Sequence, residues 1–313
     1  MTTSVDVIVP VHGNWKVTET CLRSLAAQTH EHRVVVVDDA SPDDTLERLR
    51  EHPHVDVVAL ERNSGFAAAC NAGIRHGTGD IVILVNNDVV ADTAMISELV
   101  AALDANPHCG SAVPVLTKPD GRIDAYGLCV DPTLAGFTRF NGAQMDQVDS
   151  DKGWRLLGPY GAVAAFRRSA LTEVGLLDEA IFMYGEELDL ALRLDAGGWP
   201  TTAAPHARGV HLGGATSGRS SASQRRRAGF GRGYLLRTYG VLTGRYGLRA
   251  VVTELIVCVG DIALSRDFAS LSGRIAGWRA GRTAQKRSRA VSAVDRRIGF
   301  VTSLRLRLGD RRA

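Results

Sequence analysis

Residues 80–88 read Asp-Ile-Val-Ile-Leu-Val-Asn-Asn-Asp. Five consecutive β-branched or leucine side chains, apolar at every position and too few for a stable helix, predict a strand buried on both faces. Strands of this kind belong to the parallel sheets of α/β proteins. The run stops at two amides and a carboxylate, Asn86-Asn87-Asp88, before Val89 and Val90 resume it. A carboxylate among amides can make a turn, and it can equally hold a divalent cation.

The flanking sequence repeats the pattern. VDVIVPV (5–11), HRVVVVDDAS (32–41) and VDVVALERN (55–63) read as three further strands. Helical spacing runs through NWKVTETCLRSLAAQ (14–28), TLERLREH (45–52), SGFAAACNAGIRHG (64–77) and ADTAMISELVAALDANP (91–107). Strand–helix alternation predicts an α/β fold with a mostly parallel sheet flanked by helices on both faces. From 110 to 160 the chain is richer in Gly, Pro and Asp and less periodic. Order returns in GPYGAVAAFRRSALTEVG (158–175) and EELDLALRLDAGG (186–198). After VHLGGATSGRSSAS the composition becomes Arg-rich and helical. This places a catalytic domain over 1–218, with a nucleotide-binding half 1–110 and an acceptor-side half 111–218, and a basic helical region over 219–313.

The bulk composition is that of a soluble globular protein: 313 residues, 45% hydrophobic and 23% charged. Five scattered cysteines show no C-x-x-C spacing, which argues against zinc, thioredoxin-like and disulfide frameworks and suits a reducing compartment. MTTSVDVIVP carries no signal-peptide pattern. The net charge of +3 hides an asymmetry: residues 219–313 hold 21 Lys/Arg against 5 Asp/Glu, while the first 218 hold 16 against 29. A tail at +16 predicts an anionic partner, a membrane surface or a nucleic acid. LRAVVTELIVCVGDIAL (248–264) is too short and too charged to span a membrane and reads as a helix packed on the domain or lying on a bilayer. The expected location is cytoplasmic, peripheral at the inner face of the cell membrane.

Ligands of open α/β sheets bind beyond the carboxyl ends of the strands. Four such ends are polar here: Val11-His12-Gly13, Asp38-Asp39-Ala40-Ser41, Arg62-Asn63-Ser64-Gly65 and Asn86-Asn87-Asp88. No G-x-G-x-x-G follows the first strand and no G-x-x-x-x-G-K-[ST] occurs, which excludes the standard dinucleotide and P-loop signatures. Ser41, Asp43 and Asp44 are explained by capping of the next helix. Asp38 and Asp39 are left over and suit hydrogen bonds to a base or a ribose.

In this order and spacing, VDVIVPVHG, VVVVDDASPDDTLERL, ERNSGFAAACNAGI, GDIVILVNNDV and FMYGEELDLALRL resemble the family 2 inverting glycosyltransferases of GT-A fold, most closely their rhamnosyltransferase-like branch. The resemblance covers roughly residues 4 to 217. It implies a nucleotide-diphosphate sugar donor, with dTDP or UDP favoured, and a cell-wall, polysaccharide or lipid-linked saccharide acceptor. It places Pro10, Val11 and His12 at the donor base, Asp38 and Asp39 on base and ribose, and Asn63, Gly65, Phe66 and Asn71 along the nucleotide pocket. Asn87 lies beside a D-x-D-like motif in which Asp88 binds Mg²⁺ or Mn²⁺, and His211 approaches the metal or pyrophosphate. A divalent ion offsets the charge of a departing nucleoside diphosphate. Glu187 falls where the family has its general base, with Glu186 and Asp189 as alternates, but the family's residue there is Asp. Gly158–Gly161 matches a glycine-rich strand facing the acceptor, and Trp154 and Tyr160 are candidates to stack on a sugar. Arg219 and Arg225 to Arg227 are candidates for phosphate, and the Gly/Ser/Thr run after His211 for a lid.

Processive synthases of the family carry Q-x-x-R-W and membrane spans. Here Gln224 is followed by Arg225-Arg226-Arg227-Ala228 and no span is visible, so one sugar per encounter is expected. A nucleotidyltransferase is disfavoured because VPVHGNWK lacks a glycine-rich Arg/Lys loop. Nucleic-acid binding by the basic tail would leave the ordered acids unexplained. An inactive scaffold stays open because of Glu187.

Overall fold

The computed structural model describes residues 3–148, 153–213, 221–288 and 292–309. Its first half alternates β1 (Val5–Val11), α1 (Trp15–Ala26), β2 (Arg33–Asp38), α2 (Thr45–Arg50), β3 (Val55–Ala59), α3 (Phe66–His76) and β4 (Ile81–Val85). The four strands are parallel, in the order β3-β2-β1-β4. Val7, Val9 and Val11 pack into a core with Leu25 and Ile83 on one face, while Ile8 packs with Val35, Ile74 and Leu84 on the other. Burial on both faces is why these strands are apolar at almost every position. Register puts Val11 beside Asp38 and Asp38 beside Ala59, so the polar tips lie on one sheet edge.

The chain continues through β5 (Val89–Ala91), α4 (Met95–Ala105), β6 (Ser111–Thr117), β7 (Ile123–Ala125), β8 (Leu128–Val130), β9 (Gly136–Thr138), β10 (Val163–Arg167), α5 (Arg168–Val174), α6 (Glu186–Ala196) and β11 (Thr201–His211). Here the sheet becomes mixed. β10 is antiparallel to both β4 and β6, β11 is parallel to β6, and β5 closes the edge antiparallel to β11. The parallel expectation therefore describes the first four strands. β10 follows a long segment of short strands and turns rather than a single crossover helix, so nothing obliges it to run parallel. The segment Gly158–Gly161, expected as strand, is the approach to β10, with Tyr160 bridging Val163.

The C-terminal region folds as α7 (Ala222–Thr238), α8 (Gly247–Ser265), α9 (Ala269–Ala280) and α10 (Phe300–Gly309). The expected boundary near 218 lies outside the described residues. The helices share a core with the acceptor-side half: Tyr234, Leu235, Tyr239 and Ala250 cluster with Leu134, Ile181, Leu188 and Leu192. Part of the basic excess is neutralised at this seam. Arg249 pairs with Asp131, and Arg287 pairs with both Asp178 and Asp189. α7 and α9 approach backbone to backbone. A Cβ added at Gly229, Gly233, Gly273 or Gly277 would lie 2.0–2.3 Å from a carbonyl oxygen of the facing helix. Among the described residues no helix is long and apolar enough to cross a membrane.

Candidate active site

The tips of β1, β2 and β3 brace one another. His12 Nδ1 is 2.8 Å from the Asp39 carbonyl oxygen and its Nε2 is 2.9 Å from Asn63 Nδ2. Gly13 N donates to Ser41 Oγ at 2.7 Å. Asp39 accepts from the amides of Ser64 (2.6 Å) and Gly65 (2.8 Å), so its carboxylate builds the loop before α3. Gly65 is required there. Its φ is +91°, and a Cβ would lie 2.4 Å from the Phe182 carbonyl oxygen. Asp38 is buried and accepts from Ser41 N through Oδ2, while its Oδ1 has no hydrogen-bond partner among the described residues. A buried carboxylate oxygen left unpaired is costly unless a ligand satisfies it. Pro10 and Phe66 are half-buried beside these groups and Val11 is buried beneath them.

Two of the residues expected at the nucleotide pocket are tied into the scaffold. Asn71 is 1% exposed, and its amide clamps Leu177 through both backbone groups and donates to Glu179. Asn87 donates its amide to Thr18 Oγ1 at 2.9 Å, pinning the β4 tip to α1. Both are polar groups inside the core and are satisfied there.

Asp88 and His211 come together as expected, and the sequence reading missed a third member. β11 pairs with β5 so that His211 lies opposite Val89. Its Nδ1 is 2.7 Å from Asp124 Oδ2, on β7, and its Nε2 is 3.3 Å from Asp88 Oδ1. Burial alone would lower the imidazole pKa. The hydrogen bonds and charges of Asp124 and Asp88 outweigh that and hold it at about 9. As it stands, His211 is a cation between two carboxylates, so metal ligation by its Nε2 requires release of the Asp88 contact. Asp88 Oδ1 is buried and accepts no well-directed hydrogen bond. Among the described residues no three or more His, Cys, Asp or Glu side chains form a ready-made cage for a metal. Asp88, on giving up its 3.3 Å contact with His211, fits an ion whose remaining ligands are phosphate oxygens and water.

Across the cleft, Gly185 at φ +114° and Tyr184 at φ +73° turn the chain into α6. Glu187 is half-buried in its first turn and accepts from Gly185 N at 3.0 Å. Glu186 is buried, and burial, followed by the charge of Glu187, raises its carboxyl pKa well above the usual range. Asp189 does not reach the cleft. It is fully buried against Arg193 (2.9 Å), Tyr239 (3.0 Å) and Arg287, fixing the C-terminal helices to α6. Tyr160 lies between the two sides. Burial and then the charges of Asp124, Glu187 and Asp88 raise its phenol pKa, and its ring meets His211 edge-on at 6.2 Å. Trp154 lies elsewhere, beside Phe137 and Phe140. Of the arginine run, Arg225 pairs with Asp267 and Arg226 is exposed. Arg227 reaches the rim, stacked 4.4 Å over Phe182. Arg219 and most of the expected lid lie outside the described residues. Asp124 carried no usable sequence signal, because it stands on a three-residue strand in the aperiodic middle of the chain.

Solved structures share this architecture. A mannosyltransferase from Pyrobaculum calidifontis, in complex with GDP-Man and Mn²⁺, superposes with TM-score 0.56 at 21% identity over 91% of this chain and 77% of that one. GalNAc-T7 with UDP, GalNAc and Mn²⁺ gives 0.63 at 17% identity, over 91% of this chain and 56% of that one. The fold is that of the GT-A glycosyltransferases. In sequence, the chain is 26% identical, over 71% of its length and 80% of the relative's, to the N-acetylglucosaminyl-diphospho-decaprenol L-rhamnosyltransferase of Mycobacterium tuberculosis. It is 30% identical, over 66% of its length and 48% of the relative's, to an N-acetylglucosaminyltransferase of Rhizobium sp. strain N33. The profile of glycosyl transferase family 2 matches residues 6–175, more than half of the chain and nearly all of β1 to β4, and on that match the protein belongs to this family.

Proposed function

We propose that the protein is a non-processive, inverting glycosyltransferase that moves one sugar, rhamnose in the reading favoured by the mycobacterial relative, from a dTDP- or UDP-linked donor to a lipid-linked or polysaccharide acceptor. The observation that carries this reading is a pair of buried carboxylates at the tips of β2 and β4: Asp38, whose Oδ1 has no hydrogen-bond partner among the described residues, and Asp88, whose Oδ1 has His211 Nε2 at 3.3 Å and which shares the surroundings of Tyr160 with Glu187. Asp38 suits the base or ribose. Asp88 would hold Mg²⁺ or Mn²⁺ next to His211, and the ion would offset the charge of the diphosphate. His211, 3.3 Å from Asp88, stands beside the same position.

Glu187 accepts the proton of the acceptor hydroxyl while the oxygen forms its bond to the anomeric carbon. The bond to the nucleoside diphosphate breaks on the opposite face, and a single displacement inverts the configuration. A base in this role contributes about 10²–10⁴-fold. Glutamate in place of the family's aspartate reaches one methylene further, and its hydrogen bond from Gly185 N fixes that longer side chain.

Thermal-shift titration with UDP, dTDP and GDP, each with and without Mn²⁺, tests the assignment. One nucleotide should stabilise the protein only with metal, and Asp88→Ala should lose that metal dependence. A metal-dependent shift retained in Asp88→Ala would overturn the site. Absence of any nucleotide shift together with tight, salt-sensitive DNA binding would favour the nucleic-acid reading.

We also place the protein at an anionic membrane surface. α8 supports this because its outward face is apolar: Leu248, Leu255, Val259 and Leu264 are 61–80% exposed, while Glu254 and Asp261 face the interior beside Ala250 and Val257. Arg245, Arg266 and Arg305 are exposed in the same helical region.

A further inference from the structure

Glu254 is the meeting point of all four C-terminal helices. Arg232 from α7 reaches it at 2.7 Å, Arg274 from α9 at 2.9 Å and Arg307 from α10 at 2.7 Å. Each of the four side chains is at most 14% exposed. The next carboxylate is Asp261, which accepts from Ser270 Oγ, and Arg274 Nη1 contacts the same hydroxyl. Three guanidiniums against two carboxylates leave a positive excess in a place largely withdrawn from water, where unbalanced charge is expensive. Arg232 is fully engaged, its Nη1 and Nη2 donating to the carbonyls of Leu134 and Thr133. Arg307 is not: its Nη1 is buried without a hydrogen-bond partner among the described residues.

The three arginines line a cavity of about 350 Å³, and the same cavity is lined by Tyr160, Tyr184 and Glu187. On its other side Arg274 also lines an almost wholly apolar groove of about 300 Å³, with Val251, Leu255, Ile275 and Trp278. The order is thus a carboxylate base, a cluster of guanidiniums with a free donor, and an apolar groove opening beside the exposed face of α8. We infer that this cavity is the acceptor site, and that Arg307, with Arg274, binds the phosphate or diphosphate of an acceptor whose sugar reaches Glu187 and whose hydrocarbon chain lies in the groove. The inference rests on the glycosyltransferase reading, chooses the lipid-linked acceptor over the polysaccharide one, and adds the residues that would hold its phosphate and chain. Guanidinium suits the role because its planar fork matches phosphate oxygens.

Trp278 in the groove offers a fluorescence signal. Titrations of the full chain with decyl diphosphate, inorganic pyrophosphate and decanol separate the two halves of the site. Decyl diphosphate should bind at least tenfold more tightly than either other compound, and Arg307→Met should weaken it by a further tenfold or more. Pyrophosphate binding as tightly as decyl diphosphate would mean a free-anion site without a chain groove and would overturn the acceptor assignment. Glu254→Gln provides a test that misfolding cannot imitate: by removing a competing negative charge it should tighten decyl diphosphate binding and increase the thermal shift the ligand produces. Equal binding by wild type, Arg307→Met and Glu254→Gln would also overturn the proposal. Nucleotide thermal shifts on the same samples keep the two readings apart, since a metal-dependent shift with no alkyl diphosphate binding would sink this inference alone.

Discussion

At the residue scale, α6 opens with two adjacent glutamates whose surroundings assign them different work. Glu186 is enclosed, and burial, followed by the charge of the neighbouring Glu187, raises its carboxyl pKa well above the usual range. Glu187 is half-open to the cleft. Glu187→Gln removes the base and should lower kcat by about 10²–10⁴-fold while leaving nucleotide affinity unchanged. Glu186→Gln puts a neutral amide where burial disfavours the carboxylate, so kcat should stay within about an order of magnitude of wild type, with Glu186 acting as a positioning residue. The stability change has a definite sign. A glutamate whose folded pKa lies above its unfolded value of 4.5 stabilises the fold fully below that value and loses the contribution as pH rises toward the folded pKa. Glutamine has no such loss. Urea denaturation of Glu186→Gln and wild type should therefore diverge in favour of the variant as pH rises from 4.5 to 8, and a constant difference would mean that Glu186 is charged in the folded protein.

At the element scale, what the sequence revealed follows from how each element is buried. β1, β2 and β4 were legible because a strand covered on both faces must be apolar throughout, and α3 because its small residues let it lie close on β1, with a Cβ at Gly73 only 2.3 Å from Ile8. Asp38, Asp88 and Glu187 stood out as candidates because they stand at the ends of regular elements. β7, β8 and β9 have three residues each, too few for any period to show, and Asp124 was hidden with them. Asn71 and Asn87 are ambiguous for the opposite reason: a polar residue beside a site looks functional in one dimension, and here each also satisfies buried backbone or hydroxyl groups. The pairing of α7 and α9 was illegible because glycines in a helix read as breakers, while here they permit contact. Helix propensity alone predicts that Gly277→Ala stabilises by about 1 kcal/mol. The added Cβ would meet the Phe230 carbonyl oxygen at 2.0 Å, backbone against backbone, so a net loss of about 1–3 kcal/mol is expected from overpacking. Gly260→Ala on α8, where the nearest atom is a Leu308 methyl at 3.4 Å, should follow propensity and stabilise. Urea midpoints of the two variants moving in the same direction would refute the glycine-mediated contact.

At the scale of the whole molecule, the acidic front and the basic tail are partly each other's partners, through Asp131, Asp178 and Asp189. The net charge of the tail therefore overstates what is left for an external anion, and attraction to a membrane has to draw on the outward face of α8 as well. Leu255 and Val259 are 61% and 65% exposed, and burying the exposed part of both in a bilayer interface is worth about 2–4 kcal/mol. An arginine near an anionic surface contributes about 1 kcal/mol, so the apolar face outweighs any single exposed arginine. The double variant Leu255→Ser/Val259→Ser keeps the net charge and leaves the strand tips untouched. Its partition constant for anionic vesicles, measured by flotation over a range of lipid concentrations, should fall by roughly 30- to 1,000-fold, the range those free energies imply. Wild type should float less well as salt screens the arginines, yet retain binding that the double variant lacks. Flotation of the double variant equal to wild type, with both lost at high salt, would leave electrostatics as the whole attraction and remove α8 from the membrane contact.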